Sequence, residues 1–319
     1  MTTRPLRRNS RIYVAGHRGL VGSAVWRHLE ARGCTNLIGA PSSDLDLRDD
    51  GAVDAFFAVH QPEVVVLAAA RVGGILANAT RPADFLGDNL RIQVNVLEAA
   101  HRAGVDRLLF LGSSCVYPKF APQPIPERAL LTGILEPTND AYAIAKIAGL
   151  LHVQAMRRQH GHRWISAMPT NLYGPGDSFD LASSHVLPAM IRKFSEAKSG
   201  GGPVVLWGSG APRREFLHVD DLAAACVFLL EHYDGDEHVN VGAGRDITIA
   251  ELTGVVADVV GYDGPVTWDV TKPDGTPRKL LDTSKITSLG WRPAIGLRAG
   301  IQTTYTWFLE RHGAVRGVV

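Results

Sequence analysis

Four side chains that can take part in proton transfer follow directly after a short apolar run. In the stretch LGSSCVYPK, two hydroxyls, a thiol and a phenol lie within five residues, on Ser113, Ser114, Cys115 and Tyr117. The apolar residues 108–111 are typical of a buried strand, so the polar group is expected at a strand's end. A reductase would use the hydroxyls to polarise a carbonyl. The thiol needs another explanation, and the simplest is that Cys115 is a small buried residue.

A tyrosine and a lysine stand four residues apart in NDAYAIAKIAG. On a helix, Tyr142 and Lys146 would share a face. A lysine ammonium beside the phenol would favour the phenolate and bring the tyrosine pKa from about 10 toward neutrality. If a hydroxyl of Ser113 or Ser114 also bonds to a substrate carbonyl, these side chains would deliver a proton to the carbonyl oxygen while a hydride reaches the carbonyl carbon. The Tyr-x-x-x-Lys spacing is common alone and gains weight from a glycine-rich loop near the chain start.

The segment VAGHRGLVG places three glycines at a GxxGxxG spacing between a predicted strand and a predicted helix. Gly16 would permit the tight turn, Gly19 would let the backbone approach a pyrophosphate, and Gly22 would let the helix pack on the sheet. The helix N-terminus would supply N–H groups and a positive dipole for the phosphates. A glycine-rich turn without a ligand is the alternative. The other loop residues expected at the cofactor are His17, Arg18, Leu20 and Val21.

The residues that would distinguish NADP from NAD give no single answer. Arg18 could reach the adenosine 2′-phosphate of NADP, or it could be a solvated side chain. The end of the second predicted strand, residues 39–44, has neither the acid typical of NAD enzymes nor a basic residue in its place. Ser42 can hydrogen-bond a phosphate, and Asp46 could accept from the adenine amine or cap a helix. We expect NADP (NADPH), with NAD not excluded.

Strand and helix patterns alternate over the first two-thirds of the chain. The order predicts a Rossmann-type α/β fold, a doubly wound parallel sheet with helices on both faces. The predicted strands are residues 11–15, 36–40, 64–70, 107–111 and 164–169. The predicted helices are residues 20–32, 49–60, 82–103 and 139–159.

After residue 173 the loops lengthen, and glycine and proline cluster. The segment REFLHVDD leads into a helix that runs to about residue 232, with Asp220 or Asp221 as its N-cap. One more strand is predicted at 239–242, and helices at 249–260 and 297–310. We predict an NADP-binding domain of residues 1–173 plus about 215–242, and a smaller α/β substrate lobe of about 174–214 plus 243–319.

The bulk composition is that of an ordinary globular chain, with 319 residues, 45% hydrophobic, and a net charge of +1. This charge does not favour a nucleic-acid partner. No apolar run approaches the roughly 20 residues of a membrane span. The three cysteines, Cys34, Cys115 and Cys226, form no CxxC pair, so neither a metal site nor a disulfide framework is indicated. Cys34 and Cys226 are expected in the core, and we expect a cytoplasmic protein.

Together these motifs resemble the extended short-chain dehydrogenase/reductase superfamily, which acts on nucleotide sugars. Within it the chain is similar to the GDP-L-fucose synthases, bifunctional 3,5-epimerase/4-reductases of GDP-4-keto-6-deoxy-D-mannose. The resemblance covers nearly the whole chain, and SSCVYP is a narrower signature than Tyr-x-x-x-Lys. The stretches that carry it are AGHRGLVGSA, AAARVGGILAN, FLGSSCVYPK, LEPTNDAYAIAKIAG, MPTNLYGP, SSHVLPAMIRKF, LWGSG, REFLHVDD and KPDGTPRKLLD.

The resemblance implies a role for Cys115. A 4-ketone acidifies the C–H bonds at C3 and C5, so a base can form an enolate that is reprotonated on its opposite face. Cys115 would be the base and His185 the acid, because a thiol and an imidazole titrate on either side of neutral pH and a nearby imidazolium favours the thiolate. Tyr142, assisted by Lys146 and Ser113, would then protonate O4 as NADPH reduces the ketone. The alternative for His185 is a hydrogen-bonded structural histidine.

The resemblance also implies which positions hold the GDP-sugar and the cofactor. Lys193, with Arg192 beside it, would contact the diphosphate, and Trp207 would stack or pack at the nucleotide end. Arg214 would bind phosphate or ribose, and Asp274 would accept from guanine N–H groups. The alternatives are a core tryptophan and solvated charges. The remaining cofactor contacts are expected from Leu111, Gly112, Ser113, Ser114, Lys146, Pro169, Thr170, Asn171, Leu172 and His185.

The match departs from the family at residues 40–42, Ala-Pro-Ser, where members have arginine. This departure leaves the NADPH preference open. The chain could act on another GDP-4-keto sugar, such as a 6-deoxy-heptose, or could have lost one half-reaction. A dinucleotide-sensing regulatory protein is the non-enzyme alternative, although it need not keep Tyr142 and Lys146. By fold analogy a homodimer is expected, through the helix of Tyr142 and the helix at residues 82–103.

Overall fold

The computed structural model describes residues 4–181, 184–200, 202–272 and 274–312. Their strands are β1 (Ile12–Ala15), β2 (Leu37–Ile38), β3 (Val64–Leu67), β4 (Arg107–Leu111), β5 (Arg163–Pro169), β6 (Asn171–Tyr173), β7 (Val204–Trp207), β8 (Arg213–His218), β9 (Val239–Val241), β10 (Asp246–Thr248), β11 (Val266–Asp269) and β12 (Arg278–Lys279). Their α-helices are α1 (Leu20–Ala31), α2 (Asp50–His60), α3 (Ile75–Thr80), α4 (Pro82–Arg102), α5 (Asp140–His160), α6 (Val186–Gly200), α7 (Val219–His232), α8 (Ile249–Val260), α9 (Ser284–Ser288) and α10 (Leu297–His312).

Six strands form the central sheet, in the order β2-β1-β3-β4-β5-β9. Every pair in it is parallel, so each connection must cross from one end of the sheet to the other. The strand order reverses at β1, and ligands of doubly wound sheets bind outside the carboxyl ends of the strands at such a point. The predicted Rossmann-type α/β fold is confirmed.

Helices cover both faces of the central sheet. Successive side chains of a strand point to opposite faces, so the same buried strands supply two hydrophobic cores. Tyr13 and Phe110 lie in the core under α2, α4 and α5, whereas Ile12 and Leu109 lie in the core under α1 and α7. Helices α4 and α5, each of 21 residues, pack along each other and cover the centre of one face.

The C-terminal part of the chain adds two small sheets and a third core. Strand β8 pairs with β6, β10 and β12, and β7 pairs with β11. Helices α6, α8 and α10 bury Phe194, Leu252 and Ile301 in this core. Strand β9 and helix α7 belong instead to the central sheet and its flanking layer. The boundaries that the sequence suggests for two domains stay a prediction.

The predicted N-cap of α7 is wrong. His218 occupies the cap position, and its Nδ1 accepts from the backbone N–H of Asp220 at 3.2 Å. The Asp221 carboxylate points elsewhere and accepts from the N–H groups of Ala294 and Ile295 at 3.0 and 2.9 Å. A histidine before two acids is a weaker capping signal than the acids themselves, and the contact with residues 294–295 is not visible in sequence.

Within the described ranges, no helix combines the length and the apolar character needed to cross a membrane. The three cysteines are unpaired. Cys226 is fully buried, as expected for a core residue, and Cys34 is half-buried against the same core.

Candidate active site

The glycine-rich loop joins β1 to α1 at the point where the strand order reverses. Gly16 has φ +83°, and a Cβ there would lie 2.8 Å from Ala69 Cα. A Cβ on Gly22 would lie 2.1 Å from the Gly16 carbonyl oxygen, so only glycine lets α1 approach the loop this closely. Gly19 is the N-cap of α1, and neither a capping side chain nor a first-turn acid covers this helix end in the part of the chain described. The loop therefore fits a dinucleotide pyrophosphate.

The side chains beside this loop lie where the adenosine half of a dinucleotide would reach. His17 packs on Trp26, with ring centroids 5.4 Å apart, and closes the space next to Gly39. Burial, with the charge of Arg18 as a second cause, lowers the pKa of His17. Arg18 and Ser42 are exposed, so both can meet a ligand from solvent.

Asp46 does not cap a helix. It forms an ion pair with Arg48, Nη2 to Oδ2 at 2.8 Å, and the hydrogen bonds from Arg48 lower the pKa of Asp46 to about 2. The N-cap of α2 is Asp49, whose carboxylate accepts from a backbone N–H of the first turn. An adenine contact for Asp46 stays a prediction, as do contacts from Leu20 and Val21, which pack partly against the core below α1.

The serine, tyrosine and lysine expected to reduce a ketone lie together at the carboxyl end of β4. The Ser113 side chain hydrogen-bonds to that of Tyr142 and also accepts from the backbone N–H of Cys115 at 3.3 Å. Lys146 lies one turn along α5, with Nζ 5.9 Å from the Tyr142 ring centre, and donates to the Leu111 carbonyl at 2.8 Å. Ser114 is buried, so the hydroxyl that faces the phenol is that of Ser113.

The expected phenolate is wrong for this structure. Burial, followed by the charge of Cys115, raises the pKa of Tyr142 above its ordinary value, although the Ser113 hydrogen bond opposes the shift. Burial also lowers the pKa of Lys146 to about 8, and its side chain is only 4% exposed. The ammonium is bonded to the Leu111 carbonyl, so it does not offset the desolvation of the phenol. The phenol stays protonated near neutral pH, which is the state a proton donor needs.

Cys115 lies in the short 3-10 turn Ser114–Val116, with two donors directed at its sulfur. Asn139 Nδ2 lies 3.2 Å from Sγ, and Lys279 Nζ lies 3.7 Å from it. Asn139 is the N-cap residue of α5, yet its side chain makes no capping hydrogen bond. It donates to the sulfur instead and gives up a cap worth about 1 kcal/mol. Both side chains are therefore placed to donate a hydrogen bond to the sulfur.

His185 lies immediately before α6, on the same side of the molecule as Lys279. Neighbouring protein crowds its ring, while the residue as a whole is open to solvent. Burial, with Lys279 as the second cause, lowers the pKa of His185. The role of His185 as the acid of the pair stays a prediction. The cation next to the sulfur is the Lys279 ammonium, which lies near both members of the expected acid/base pair.

Trp207 stands on the surface, 63% exposed, and is not a core tryptophan. Two ammonium groups flank its ring, with Lys193 Nζ 5.9 Å and Lys272 Nζ 5.5 Å from the ring centre. Lys193 also donates to the Val205 carbonyl at 2.8 Å. Arg192 points away and pairs with Glu196, so Lys193 is the basic residue of α6 that faces the tryptophan.

Arg214 and Asp274 lie close together beside this tryptophan's strand. Burial lowers the pKa of Arg214, and the charge of Asp274 opposes that shift. The Asp274 carboxylate accepts from the Ser209 backbone N–H at 2.7 Å and from its hydroxyl at 2.6 Å, and these bonds lower the pKa of Asp274. Asp274 therefore holds the Ser209 turn in place. Its contact with guanine stays a prediction.

The carboxyl end of β5 is fixed to the C-terminal part of the chain through Glu215. Asn171 Nδ2 donates to the Glu215 carbonyl oxygen at 2.8 Å, and the Thr170 N–H donates to the Val241 carbonyl at 3.0 Å. The Glu215 carboxylate is fully buried and accepts from the N–H groups of Gly244 and Leu281. The other residues expected here lie at the ends of β4 and β5 or in β6: Leu111, Gly112, Pro169 and Leu172.

Three polar residues of the cleft were not expected from the sequence: Asn139, Lys272 and Lys279. Asn139 precedes Tyr142 by three residues, so the helical spacing already placed both on one face. Lys272 and Lys279 are the first and last residues of the KPDGTPRK motif, in which only Asp274 was expected to contact the substrate. Lys272 reaches Trp207 because β11 pairs with β7, and Lys279 reaches Cys115 because β12 pairs with β8, and no local pattern reveals either pairing.

Known proteins match this chain over nearly its whole length. The NAD dependent epimerase/dehydratase family matches residues 12–242. GDP-L-fucose synthase 1 of Arabidopsis thaliana is 60% identical over 304 residues, which are 95% of this chain and 94% of that protein. The solved GDP-6-OMe-4-keto-L-xylo-heptose reductase from C. jejuni is 35% identical, covers 97% of this chain and 100% of its own, and has a TM-score of 0.93. A GDP-L-fucose synthetase from Naegleria fowleri bound to NADP is 27% identical, covers 98% of each chain and has a TM-score of 0.90.

Proposed function

The chain belongs to the NAD dependent epimerase/dehydratase family and, within it, to the GDP-L-fucose synthases, and from this premise we propose that it converts GDP-4-keto-6-deoxy-D-mannose to GDP-L-fucose. The reaction is a 3,5-epimerisation followed by reduction at C4. One observation carries the proposal: a single turn after β4 presents Ser113 to the Tyr142 phenol and the Cys115 sulfur to Lys279. One cleft thus combines a proton donor for an alkoxide with a base for a carbon acid.

The epimerisation begins with Cys115 as a thiolate. The sulfur takes the proton from C3, the C–H electron pair moves into the ketone to form an enolate, and His185 returns a proton to the opposite face. The thiol and imidazole then exchange protons with solvent, and the sugar shifts so that C5 is treated in the same way. Asn139 and Lys279 support the thiolate through their contacts with the sulfur. The negative charge of bound substrate favours the imidazolium that His185 needs as an acid.

The reduction uses the phenol of Tyr142. NADPH supplies the hydride to C4 when it is bound. Tyr142 donates its phenolic proton to O4. The raised pKa of Tyr142 keeps this proton on the phenol near neutral pH. Ser113, bonded to the phenol, directs the carbonyl oxygen to it, and the same two hydroxyls stabilise the enolate oxygen in the first half-reaction. The Lys146 ammonium, one turn away and bonded to the Leu111 carbonyl, is proposed to contact the bound cofactor.

We propose NADPH as the preferred cofactor. The loop with Gly16 and Gly22 fits a pyrophosphate, and the exposed Arg18 beside it supplies a cation for the 2′-phosphate. Ser42, also exposed, can add a hydrogen bond. A relative with the same fold is described with NADP bound. NADH is the alternative that the assay below distinguishes.

The nucleotide end of the substrate is proposed to lie on Trp207. Its exposed ring can stack on guanine, and the nearby ammonium groups of Lys193 and Lys272 suit the diphosphate. Arg214, partly desolvated and close to Asp274, adds a guanidinium suited to phosphate oxygens.

The test separates the two half-reactions with two variants. Purified protein is given the keto-sugar with NADPH or NADH, nucleotide oxidation is followed by absorbance, and the product is identified by NMR. Wild type should yield GDP-L-fucose with NADPH preferred. Cys115→Ser should lose epimerisation, whereas Tyr142→Phe should still exchange the C3 and C5 protons but not oxidise the cofactor. Cys34→Ser, at a thiol away from the cleft, is the matched control. Oxidation that yields only an unepimerised product from wild type would overturn the proposal.

A second candidate is an epimerase or 4-reductase for another GDP-4-keto sugar, such as a 6-deoxy-heptose. The observation that favours it is the TM-score of 0.93 to a heptose reductase, although the identity is lower, at 35%, than to the fucose synthases. Turnover of a GDP-4-keto-heptose with none of the mannose derivative would support it. A dinucleotide-sensing regulatory protein is disfavoured, because such a protein does not need the Ser113–Tyr142 bond or the donors on Cys115.

We propose a homodimer formed through α4 and α5. The large apolar side chains of Val94, Ile144 and Leu151 are exposed on these two adjacent helices, and Ile144 and Leu151 are seven residues apart on one face. Light scattering should give twice the chain mass for wild type and a single chain mass for Ile144→Glu. We also propose a cytoplasmic location, which the three unpaired thiols support because reducing compartments keep cysteines free.

A further inference from the structure

A second cleft lies at the opposite end of the central sheet from the candidate active site. Its walls include Arg11 before β1, the first residue of β3 and Arg107 at the start of β4. Leu111, whose carbonyl receives Lys146, ends β4 four residues later, so the two sites are separated by roughly 13 Å of strand. The cleft has a volume of about 1030 Å³, in the range of small-molecule sites.

Arg107 is a buried cation for which the described residues supply no anionic partner. It is 8% exposed, and in the described part of the chain no carboxylate lies within 4.0 Å of its guanidinium. Its Nη1 donates to the Arg4 carbonyl oxygen at 2.8 Å. Burial lowers the pKa of Arg107, and the nearest acids are engaged, Asp106 with Arg163 and Asp234 with Arg157. Buried charges are normally paired. A bound anion would therefore supply the counter-charge that the described residues do not place at this guanidinium.

The cleft concentrates further positive charge around Arg107. Five arginines line it against two carboxylates, Glu63 and Asp106. Glu63 pairs with Arg7 at 2.7 Å and Arg102 pairs with Asp54 at 2.6 Å, which leaves three guanidinium groups without an ion pair among the described residues. These three belong to Arg4, Arg11 and Arg107.

We propose that this cleft binds a small anion with at least two phosphate groups. Guanidinium groups bind phosphate oxygens in a planar, bidentate manner, and three of them match the charge of a diphosphate. A long nucleic acid is not favoured, since the whole chain carries a net charge of only +1 and the five arginines line a single cleft of limited volume. Free pyrophosphate and the diphosphate of a nucleotide share this chemistry. The inference is independent of the reaction proposed above.

Calorimetric titration of the full chain with inorganic pyrophosphate tests the site. Because Arg4 and Arg11 are exposed, the double variant Arg4→Gln/Arg11→Gln should fold normally and weaken binding at least tenfold. Arg107→Gln should weaken it as well, with its fold checked by circular dichroism. Two single variants are controls: Arg298→Gln removes an exposed, paired arginine of α10, and Arg214→Gln removes an arginine of the active-site cleft. Neither should change this binding event.

Two results would overturn the proposal. One is that the Arg214→Gln variant no longer binds pyrophosphate at all. The other is binding of the same strength in wild type and in the Arg4→Gln/Arg11→Gln variant. A parallel titration with ADP distinguishes the sources: equal affinity means that the site reads only the phosphates, and tighter ADP binding means that it also holds a nucleoside.

Discussion

Replacement of Lys279 by methionine should lower the reactivity of Cys115, because it removes the cation nearest to the sulfur while keeping the side-chain length. A unit charge 3.7 Å from the sulfur is worth about 1 kcal/mol in bulk water and about 4 kcal/mol at an effective dielectric constant near 20. Lys279 is partly exposed, so we take about 1.5–2 kcal/mol as the attraction that a sulfur anion loses in the variant. A less stabilised thiolate is also more nucleophilic, with a Brønsted coefficient of about 0.5. Alkylation should therefore slow roughly threefold to sixfold.

The assay is alkylation by iodoacetamide at pH 7, with the rate at Cys115 read from its peptide by mass spectrometry. The rate at Cys34 in the same sample is an internal reference and should not change. Lys272→Met is the matched control, because Lys272 lies at Trp207 and not at the thiol. In the proposed reaction, Lys279→Met should slow C3 and C5 proton exchange more than reduction. An unchanged alkylation rate in Lys279→Met, or an equal loss in Lys272→Met, would refute the assigned role.

Three further predictions follow from the fold and the site. Gly22→Ala places a Cβ 2.1 Å from the Gly16 carbonyl oxygen, and overpacking of about 1–3 kcal/mol should raise the Kd for NADPH roughly tenfold or more in a fluorescence titration. Tyr142→Phe removes the phenolic proton and should lower the reduction rate by about 10²–10⁴-fold, while deuterium exchange at C3 and C5 continues. Burial, with Lys285 as the second cause, lowers the pKa of His238 to about 4. Between pH 6.5 and 4 the unfolded chain binds a proton there that the folded chain does not, so the free energy of unfolding should fall by about 3 kcal/mol as pH drops, and His238→Gln should remove that part of the dependence in urea titrations.

Each of these predictions has an outcome that contradicts it. Normal NADPH affinity in Gly22→Ala would mean that the loop does not hold the pyrophosphate. Reduction at the wild-type rate in Tyr142→Phe would assign the O4 proton to another group. For His238, an unchanged fall in stability between pH 6.5 and 4 in the glutamine variant would show that other groups dominate, and both proteins should be equally sensitive to pH above 7.

The sequence predicted those features that depend on local spacing. The glycines at positions 16, 19 and 22 predicted the loop, and the four-residue step from Tyr142 to Lys146 predicted their shared helix face. The helix observed at Ile249–Val260 has the bounds that its apolar pattern indicates. Its capping box, Thr248 with Glu251, and the glycine after its last turn mark both ends in the sequence.

The predictions that failed concern features that depend on contacts between distant segments or on desolvation. The Lys279 contact with Cys115 joins residues 164 positions apart in the chain. The raised pKa of Tyr142 follows from burial that the neighbouring lysine does not offset, because Lys146 donates to the Leu111 carbonyl. The N-cap of α7 was misassigned because Asp221 bonds to backbone groups near residue 294. Residue spacing predicts which side chains are neighbours within one helix or strand. It does not predict which side chain of a distant segment packs against them.

The central claim is that one cleft performs both epimerisation and reduction, and isotope placement tests it most directly. The protein is incubated with GDP-4-keto-6-deoxy-D-mannose and NADPH in D₂O, and the product is analysed by NMR. The account predicts GDP-L-fucose with deuterium at both C3 and C5 and with the hydride-derived proton at C4. A reduced product that keeps its original protons at C3 and C5 would contradict it, because Cys115 and His185 would then take no part in the reaction.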